Sequence, residues 1–104
     1  MRKTAREIVV TKKFTKDLER ELKGKHAKTI EDDLDGILGQ LSMDVALPEA
    51  NKDHPLSGDW SSFRDCHVYP DLVLIYQKPV DKVKGNKDLN TLHLVRMDSH
   101  SNLF

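Results

Sequence analysis

The stretch Leu72-Val73-Leu74-Ile75-Tyr76 decides the fold class, because all five consecutive residues are apolar and three are β-branched or aromatic. Such a run is typical of a central strand whose two faces are both covered by other layers. Residues 63–69 predict a strand before it, and Tyr69-Pro70-Asp71 predicts the tight turn between the two. Leu92-His93-Leu94-Val95-Arg96 predicts a last strand. The second half therefore predicts consecutive, mainly antiparallel strands.

The first half of the chain has a helical period after one short strand. Glu7-Ile8-Val9-Val10-Thr11 predicts that strand, since it is rich in β-branched residues. A helix follows with an apolar residue at every fourth position, and Gly24 ends it by supplying the left-handed cap conformation. Its apolar stripe is Phe14, Leu18 and Leu22, and its candidate N-caps are Thr11 and Thr15.

A second helix is predicted from about His26 to Leu41 or Met43, with acidic residues in its early part where the helix dipole favours them. Gly24-Lys25 is then the only connection, so the two helices are expected to pair antiparallel. Helices that are separated in sequence from a run of strands indicate an α+β fold. The stripe of this second helix is Ile30, Leu34, Ile37, Leu38 and Leu41.

Charge is balanced over the whole chain but segregated along it. The 104 residues contain 17 Lys and Arg against 17 Asp and Glu, so the formal net charge is zero. Residues 1–30 carry a net +6, residues 31–60 a net −7 and residues 61–104 a net +1. The zero total argues against a nucleic-acid binder, whereas the basic first segment suits phosphate or an acidic partner. Two ordinary solvated helix faces would give the same pattern.

The composition predicts one globular domain over residues 1–104, because 38% hydrophobic residues suffice for a core. No apolar run approaches the roughly 20 residues that a membrane-spanning helix needs, so we expect no membrane segment. The lone Cys66 excludes an intramolecular disulfide and indicates a small buried residue in a reducing compartment. Residues 46–55 and 78–90 contain prolines and polar residues and are predicted to be loops.

Four polar side chains in the second half are candidates for acid–base chemistry: His54, His67, Asp71 and His100. Histidine exchanges a proton near neutral pH, and a carboxylate orients an imidazole or serves as a base. With a guanidinium to offset phosphate charge, this set suffices for RNA cleavage without a metal. It also resembles a two-histidine, one-carboxylate metal site, whereas any single histidine taken alone is more often an ordinary surface or turn residue.

A longer pattern connects these residues to a known family. Together its segments resemble the YafQ-type branch of the RelE superfamily, whose members are type II toxins that cleave mRNA on the translating ribosome. The resemblance covers nearly the whole chain and implies the RelE-like microbial RNase fold. The segments are Lys52-Asp53-His54-Pro55-Leu56-Ser57-Gly58-Asp59-Trp60, Phe63-Arg64-Asp65-Cys66-His67-Val68, Pro70-Asp71, Leu74-Ile75-Tyr76, Arg96, Ser99-His100 and Leu103-Phe104, with Phe14-Thr15-Lys16-Asp17 in the helical half.

The resemblance implies that His54, His67, Asp71 and His100 form the catalytic set. Family members cleave by attack of the ribose 2′-hydroxyl, which leaves a 2′,3′-cyclic phosphate. We assign His100 as the general acid and either His54 or Asp71 as the base. His67 is then expected to stabilise or orient.

The resemblance also assigns residues to RNA. Phe104 is expected either to stack on a base or to anchor the C-terminus on the sheet. Arg96 is expected to face phosphate and Arg64 to support the transition state. For both arginines the alternative is a structural salt bridge, for which the candidate partners are Asp65, Asp71 and Asp98.

Two features depart from the family pattern. Met97-Asp98 stands where relatives tend to have a glycine, so Asp98 adds a negative charge near the expected phosphate. The predicted loop of residues 78–90 is longer than in typical relatives. Trp60 and Tyr76 are expected to pack in the core or at an edge rather than to contact RNA.

The family implies three partners: a cognate antitoxin, the ribosome and mRNA. Family antitoxins are small, dimeric and DNA-binding, so DNA is expected to be contacted only through the complex. The basic residues 1–30 offer an electrostatic landing site for an acidic partner. No cofactor, no metal, a monomeric free toxin and a cytoplasmic location are expected. The alternative function is a catalytically weak or inactive toxin-fold protein that acts mainly through antitoxin binding and operon regulation.

Overall fold

Five strands form one sheet in this computed structural model, which describes residues 2–79 and 90–104. The strands are β1 (Glu7–Val10), β2 (His54–Pro55), β3 (Arg64–Tyr69), β4 (Leu72–Gln77) and β5 (Thr91–Asp98). Their order across the sheet is β1-β5-β4-β3-β2. All neighbours are antiparallel except β1, which runs parallel to β5. The prediction of an α+β fold with an N-terminal strand and three or four further, mainly antiparallel strands is confirmed, with four further strands present among the described residues.

The central strand is buried on both faces, as its sequence predicts. All residues from Leu72 to Tyr76 are buried, and β4 lies between β3 and β5. Leu74 and Tyr76 belong to the main core, which also contains Cys66 of β3. Ile75 lies between Leu74 and Tyr76 and therefore points to the opposite face of the sheet, the face that it shares with its partner Asp65 on β3.

The first helix, α1 (Lys12–Glu21), begins where the sequence predicts. The hydroxyl of Thr11 caps it by accepting the Phe14 N–H at 2.9 Å. Phe14 is 3% exposed and anchors the helix in the core. The helix ends at Glu21 with Leu22 as its C-cap, and Gly24 donates its N–H to the carbonyl of Glu21. The predicted left-handed cap at Gly24 is wrong, because Gly24 has no positive φ.

The second helix, α2 (Ile30–Ser42), begins about one turn later than His26, where the sequence predicts its start. Residues 26–29 instead contact the sheet: the His26 ring stacks on Tyr69 with centroids 3.9 Å apart, and the Thr29 and Tyr69 hydroxyls are 2.7 Å apart. The backbone here forms turns, with the Thr29 and Ile30 N–H groups both donating to the His26 carbonyl. The predicted apolar stripe does face the core, with Ile30, Leu34, Ile37 and Leu41 buried and Leu38 packed against them.

A buried carboxylate fastens α1 to β5. Asp17 is 4% exposed and accepts hydrogen bonds from the Met97 N–H at 2.9 Å, Arg96 Nε at 2.8 Å and Arg20 Nη1 at 3.0 Å. Burial by itself raises the pKa of Asp17, but the bonds from Arg96 and Met97 outweigh it and hold the pKa below its usual value. Arg20 also donates to the Met97 carbonyl at 2.8 Å. The helix and the last strand are therefore joined by charge as well as by apolar packing.

The remaining segments follow the sequence in part. The predicted loop of residues 46–55 contains a short 3₁₀ helix (Glu49–Asn51) and the two-residue strand β2. Most of the predicted loop of residues 78–90 lies outside the described residues. Cys66 is fully buried, as predicted. No helix among the described residues is both long enough and apolar enough to cross a membrane.

Candidate active site

A pocket of about 200 Å³ opens beside the β2–β3 edge of the sheet. It brings together two of the four predicted catalytic residues, His54 and His100, and the predicted RNA-stacking residue Phe104. It also contains Asp65 and Trp60, for which the sequence predicts no catalytic or binding role. The complete lining is His54, Leu56, Ser57, Trp60, Asp65, His100 and Phe104.

Strand pairing places the polar residues of the pocket on one face of the sheet. His54 on β2 lies directly opposite Asp65 on β3, and directly opposed residues share a face. His67 lies two residues after Asp65 on the same strand and so faces the same way. The core face of β3 is occupied by Cys66 and Val68. The alternation of polar and apolar residues from 65 to 68 was a sequence signal for this face, and it included Asp65.

The ring of His54 is held from the backbone. Lys52 adopts a left-handed conformation with φ of 49°, and its carbonyl oxygen lies 2.6 Å from His54 Nδ1. A non-glycine residue in this region costs on the order of 1 kcal/mol, and such strain is typical of functional sites. The strained turn thus directs a carbonyl oxygen at one nitrogen of the imidazole.

The other nitrogen of His54 faces a buried carboxylate. His54 Nε2 lies 3.2 Å from Asp65 Oδ1, which is ion-pair distance, although the pair lacks hydrogen-bond geometry. Asp65 is fully buried, and neither of its oxygens accepts a hydrogen bond among the described residues. Burial raises the pKa of Asp65, and the nearby His54, His67 and His100 offset part of that rise. Asp65 therefore lies at the electrostatic centre of three predicted catalytic histidines.

A short C-terminal helix, α3 (His100–Leu103), carries the other side of the pocket. Ser99 caps it by accepting the Asn102 N–H at 3.3 Å. The Asp98 carboxylate accepts the Ser99 N–H at 2.8 Å and the Asn102 side-chain amide at 3.1 Å. The residue that departs from the family pattern thus fastens the helix that presents His100. Its charge is also balanced, because Arg20 and Arg96 lie 3.4 and 3.7 Å from it.

Aromatic rings form the apolar wall of the pocket. The Phe104 ring lies 4.9 Å from His100 and 6.1 Å from Trp60, and half of the residue is exposed. Trp60 packs edge-on against Phe63 at 5.4 Å, in keeping with its predicted packing role, but it also lines the pocket. Tyr76 is buried, as predicted. Phe104 is therefore packed on one side and open to a ligand on the other.

Both predicted RNA-contacting arginines are in ion pairs away from the pocket lining. Arg96 Nε donates to Asp17 at 2.8 Å. Arg64 Nε donates to Asp53 Oδ1 and to the Tyr76 hydroxyl, each at 3.2 Å. Both arginines are thus in salt bridges, which was the alternative to an RNA contact. Of the predicted salt-bridge partners, Arg96 contacts Asp98.

Asp71 lies apart from the pocket, in the turn between β3 and β4. Its carboxylate pairs with Lys25 Nζ and lies 3.0 Å from His26 Nε2. The hydrogen bond from Lys25, followed by that from His26, lowers the pKa of Asp71 to about 2. The structure therefore groups His54, His100 and Phe104 around Asp65, with His67 on the same face, and separates Asp71 from them.

Metal ligation was the other chemistry that the sequence left open. Within residues 2–79 and 90–104, no group of three or more His, Cys, Asp or Glu side chains is arranged to hold a metal ion.

The fold and pocket define a class of small bacterial toxins, because solved toxins superpose along nearly the whole chain. A metal-bound toxin from Helicobacter pylori is 40% identical, with 95% of this chain and 99% of that chain covered and a TM-score of 0.76. YafQ from Escherichia coli strain BL21(DE3) is 31% identical, with 95% and 98% covered and a TM-score of 0.73. YafQ in the E. coli DinJ–YafQ toxin–antitoxin complex is 30% identical, with 97% and 99% covered and a TM-score of 0.72.

The chain belongs to the YafQ family of bacterial toxins of type II toxin–antitoxin systems, whose model matches residues 6–104. The proteins named "mRNA interferase toxin YafQ" from E. coli K12 and E. coli B/BL21-DE3 are 43% and 42% identical over 60 residues. Each match covers 58% of this chain and 55% of the relative, so the chain spans about half the length of the curated relatives it matches. The resemblance stated from the sequence, and the fold it implies, are confirmed.

Proposed function

We propose that this chain is the toxin of a type II toxin–antitoxin module and an endoribonuclease that cleaves mRNA on the translating ribosome. Membership in the YafQ family and the mRNA interferase relatives support this function. The observation that carries it is the pocket itself, which places His54 and His100 beside a buried Asp65, with Phe104 at its rim. Imidazoles and a carboxylate within one pocket can supply the proton transfers of metal-free RNA cleavage.

The proposed reaction is an internal transfer at phosphorus. A base removes the proton of the ribose 2′-hydroxyl, and the oxygen then attacks the adjacent phosphorus. The bond from phosphorus to the 5′-oxygen breaks, a general acid protonates that oxygen, and a 2′,3′-cyclic phosphate remains. His100 is the proposed acid, since it is exposed within the pocket. The base belongs to the imidazoles around Asp65, because Asp71 is engaged with Lys25 outside the pocket.

Phe104 and Trp60 supply the proposed contact for a nucleobase. Single-stranded RNA is commonly held by aromatic stacking, which is worth ~1–3 kcal/mol per base. Phe104 keeps half of its surface exposed while its ring rests against Trp60 and His100. A base stacked on this ring would bring its own backbone next to the histidines.

The proposed partner is a small, dimeric, DNA-binding antitoxin, and the module acts in the cytoplasm with the ribosome and mRNA as its other partners. The E. coli DinJ–YafQ complexes support a toxin–antitoxin pair. In this chain β1 is an edge strand of the described sheet, with Ile8, Val9 and Val10 each at least 40% exposed. Exposed lysines flank this apolar edge and suit an acidic partner: Lys3, Lys12, Lys13 and Lys16.

A second candidate function is a catalytically weak toxin-fold protein that works mainly through antitoxin binding and operon regulation. One observation favours it: Arg96, which the resemblance assigns to phosphate, is held by Asp17 and Asp98. Retained antitoxin binding without any ribosomal cleavage would support this candidate over the first.

Induction in growing cells tests the proposed function. We expect the wild-type chain to arrest growth and protein synthesis, and His100→Ala to leave both intact at equal expression. Equal arrest by the two proteins would contradict the catalytic assignment.

A further inference from the structure

We propose that Asp65 is a positioning residue that holds one proton in common with His54 at neutral pH, so that His54 is not available as the general base. The inference rests on the proposed ribonuclease function and names how its acid and base roles are divided. The His54–Asp65 pair then has zero net charge and takes no part in proton transfer. Proton transfer falls to the other two histidines of this face, His67 and His100.

The first step of the argument concerns His54 Nδ1. This nitrogen lies 2.6 Å from the carbonyl oxygen of Lys52, and a carbonyl oxygen only accepts. Nδ1 must therefore carry a hydrogen. In a neutral imidazole the other nitrogen, Nε2, is then an acceptor.

The second step concerns the group that faces Nε2. Asp65 Oδ1 lies 3.2 Å from it, and an ionised carboxylate is also an acceptor. Two acceptors at this distance repel unless one of them carries a proton. The contact is stable as an imidazolium beside a carboxylate or as an imidazole beside a carboxylic acid. Each form contains one proton more than a neutral His54 beside an ionised Asp65.

Burial makes this proton hard to remove. Asp65 is fully buried, and both of its oxygens lack hydrogen-bond donors within the described part of the chain. An unpaired charge in such a place is costly, so the carboxylate needs either a proton or a cation in contact. His54 is the group in contact.

The charged and titratable groups around the pair are few. His54 comes from β2, and His67 lies on the same strand and face as Asp65. His100 on α3 lowers the pKa of Asp65 through its charge. Asp53, in the segment before β2, raises it. Directly across the pair, β4 contributes the apolar Ile75. The three histidines stabilise the ionised carboxylate and Asp53 destabilises it, and of these four groups His54 is the one at ion-pair distance from Asp65.

The proposal changes the division of labour that the sequence suggests. His54 Nδ1 is held by the Lys52 carbonyl, and Nε2 lies at ion-pair distance from Asp65 Oδ1 without hydrogen-bond geometry. With one proton already held by the pair, His54 is not free to take the 2′-hydroxyl proton. With His100 as the acid, the base is His67.

Magnetic resonance of the intact, free protein at pH 7 tests the shared proton directly. We expect ¹⁵N shifts of His54 and the ¹³C shift of the Asp65 carboxyl to show one extra proton on the pair. In Asp65→Asn, His54 should become neutral with its hydrogen on Nδ1, while Asp44→Asn, an exposed-site control, should leave His54 unchanged. A neutral His54 beside an ionised Asp65 in the wild type would overturn the proposal, and this measurement needs no catalytic activity.

Ribosome-dependent cleavage rates then test the role of His54. Glutamine keeps an N–H donor near Asp65, where His54 places Nε2, but it exchanges no proton near pH 7. We expect His54→Gln to cleave at least about tenfold faster than His54→Ala, whereas removal of a general base costs roughly 10²–10⁴-fold for both. At His67 the glutamine and alanine variants should be equally slow. A smaller advantage of His54→Gln over His54→Ala would overturn the proposal, and absence of cleavage by wild type would overturn the proposed function instead.

Discussion

The joint between α1 and β5 gives the most quantitative stability prediction. Among the described residues, Asp17 alone contacts all three of the Met97 N–H, Arg20 and Arg96. Its side chain is 6% exposed. Asp17→Ala removes the acceptor of all three while leaving the apolar core residues in place. The change therefore isolates the charged joint from hydrophobic packing.

The expected loss comes mainly from one orphaned backbone group. The Met97 N–H lies in a fully buried residue, and a buried donor without an acceptor costs about 1–3 kcal/mol. The two arginine side chains are 27% and 44% exposed, so water replaces Asp17 there and each lost pair contributes under about 1 kcal/mol. We expect a total near 3 kcal/mol, which corresponds to about 12 °C in melting temperature for a domain of this size.

Urea and thermal denaturation of wild type, Asp17→Ala and Glu19→Ala measure this loss. Glu19 lies on the same helix and is exposed, so its variant controls for the change to alanine. The pKa of Asp17 is lowered on folding, so its contribution is complete above the unfolded pKa of about 3.9 and is lost as the pH falls through the folded value. A loss below about 1 kcal/mol at pH 7, or one equal to that of Glu19→Ala, would refute the reasoning.

Three further predictions follow from the cysteine, the hairpin turn and the C-terminus. Burial raises the pKa of the Cys66 thiol to about 12, so the native protein should resist alkylation by iodoacetamide at pH 8 and react once unfolded in urea; rapid native labelling would contradict this. Asp71→Asn should lower the melting temperature by less than Asp17→Ala, since Asp71 is exposed, and the difference from wild type should vanish as the pH falls from about 3.9 through about 2. An unchanged difference in acid would show that the ion pair with Lys25 is not its source. Phe104→Ala should reduce kcat/KM on ribosome-bound mRNA by roughly 5- to 150-fold with an unchanged melting temperature. A matching fall in thermal stability would indicate that Phe104 is an anchor instead.

Periodicity was sufficient for β1, β3, β4 and β5 and for the start of α1, but it missed the two-residue β2, which lies in a predicted loop. The run from Leu72 to Tyr76 is buried on both faces because it is apolar at every position, and Thr11 caps α1 because its hydroxyl precedes a helical stripe. The start of α2 was wrong by about a turn, and the turn before it carries His26, which stacks on Tyr69, a residue far away in sequence. The parallel pairing of β1 with β5 is likewise a long-range contact that no local period encodes.

The pocket was predictable in its histidines but not in its centre. The family pattern named His54 and His100, which the pocket brings together. The same pattern contains Asp65 beside an arginine, where a carboxylate reads as half of a surface salt bridge; its burial depends on the pairing of β2 with β3. The resemblance groups Asp71 with the histidines, whereas the turn between β3 and β4 places its carboxylate against Lys25. A motif in the sequence does not specify the direction in which a turn presents a side chain.

Cleavage mapping on one mRNA in a translation extract tests the central claim most directly. The samples are wild type and the alanine variants of His54, His67, Asp71 and His100, each assayed with ribosomes and with purified RNA at physiological salt. The zero net charge of the chain favours weak, salt-sensitive binding to free RNA, so we expect discrete cuts by wild type only where ribosomes are present and none by His100→Ala. Efficient cutting of purified RNA, or equal cutting by His100→Ala, would contradict the account.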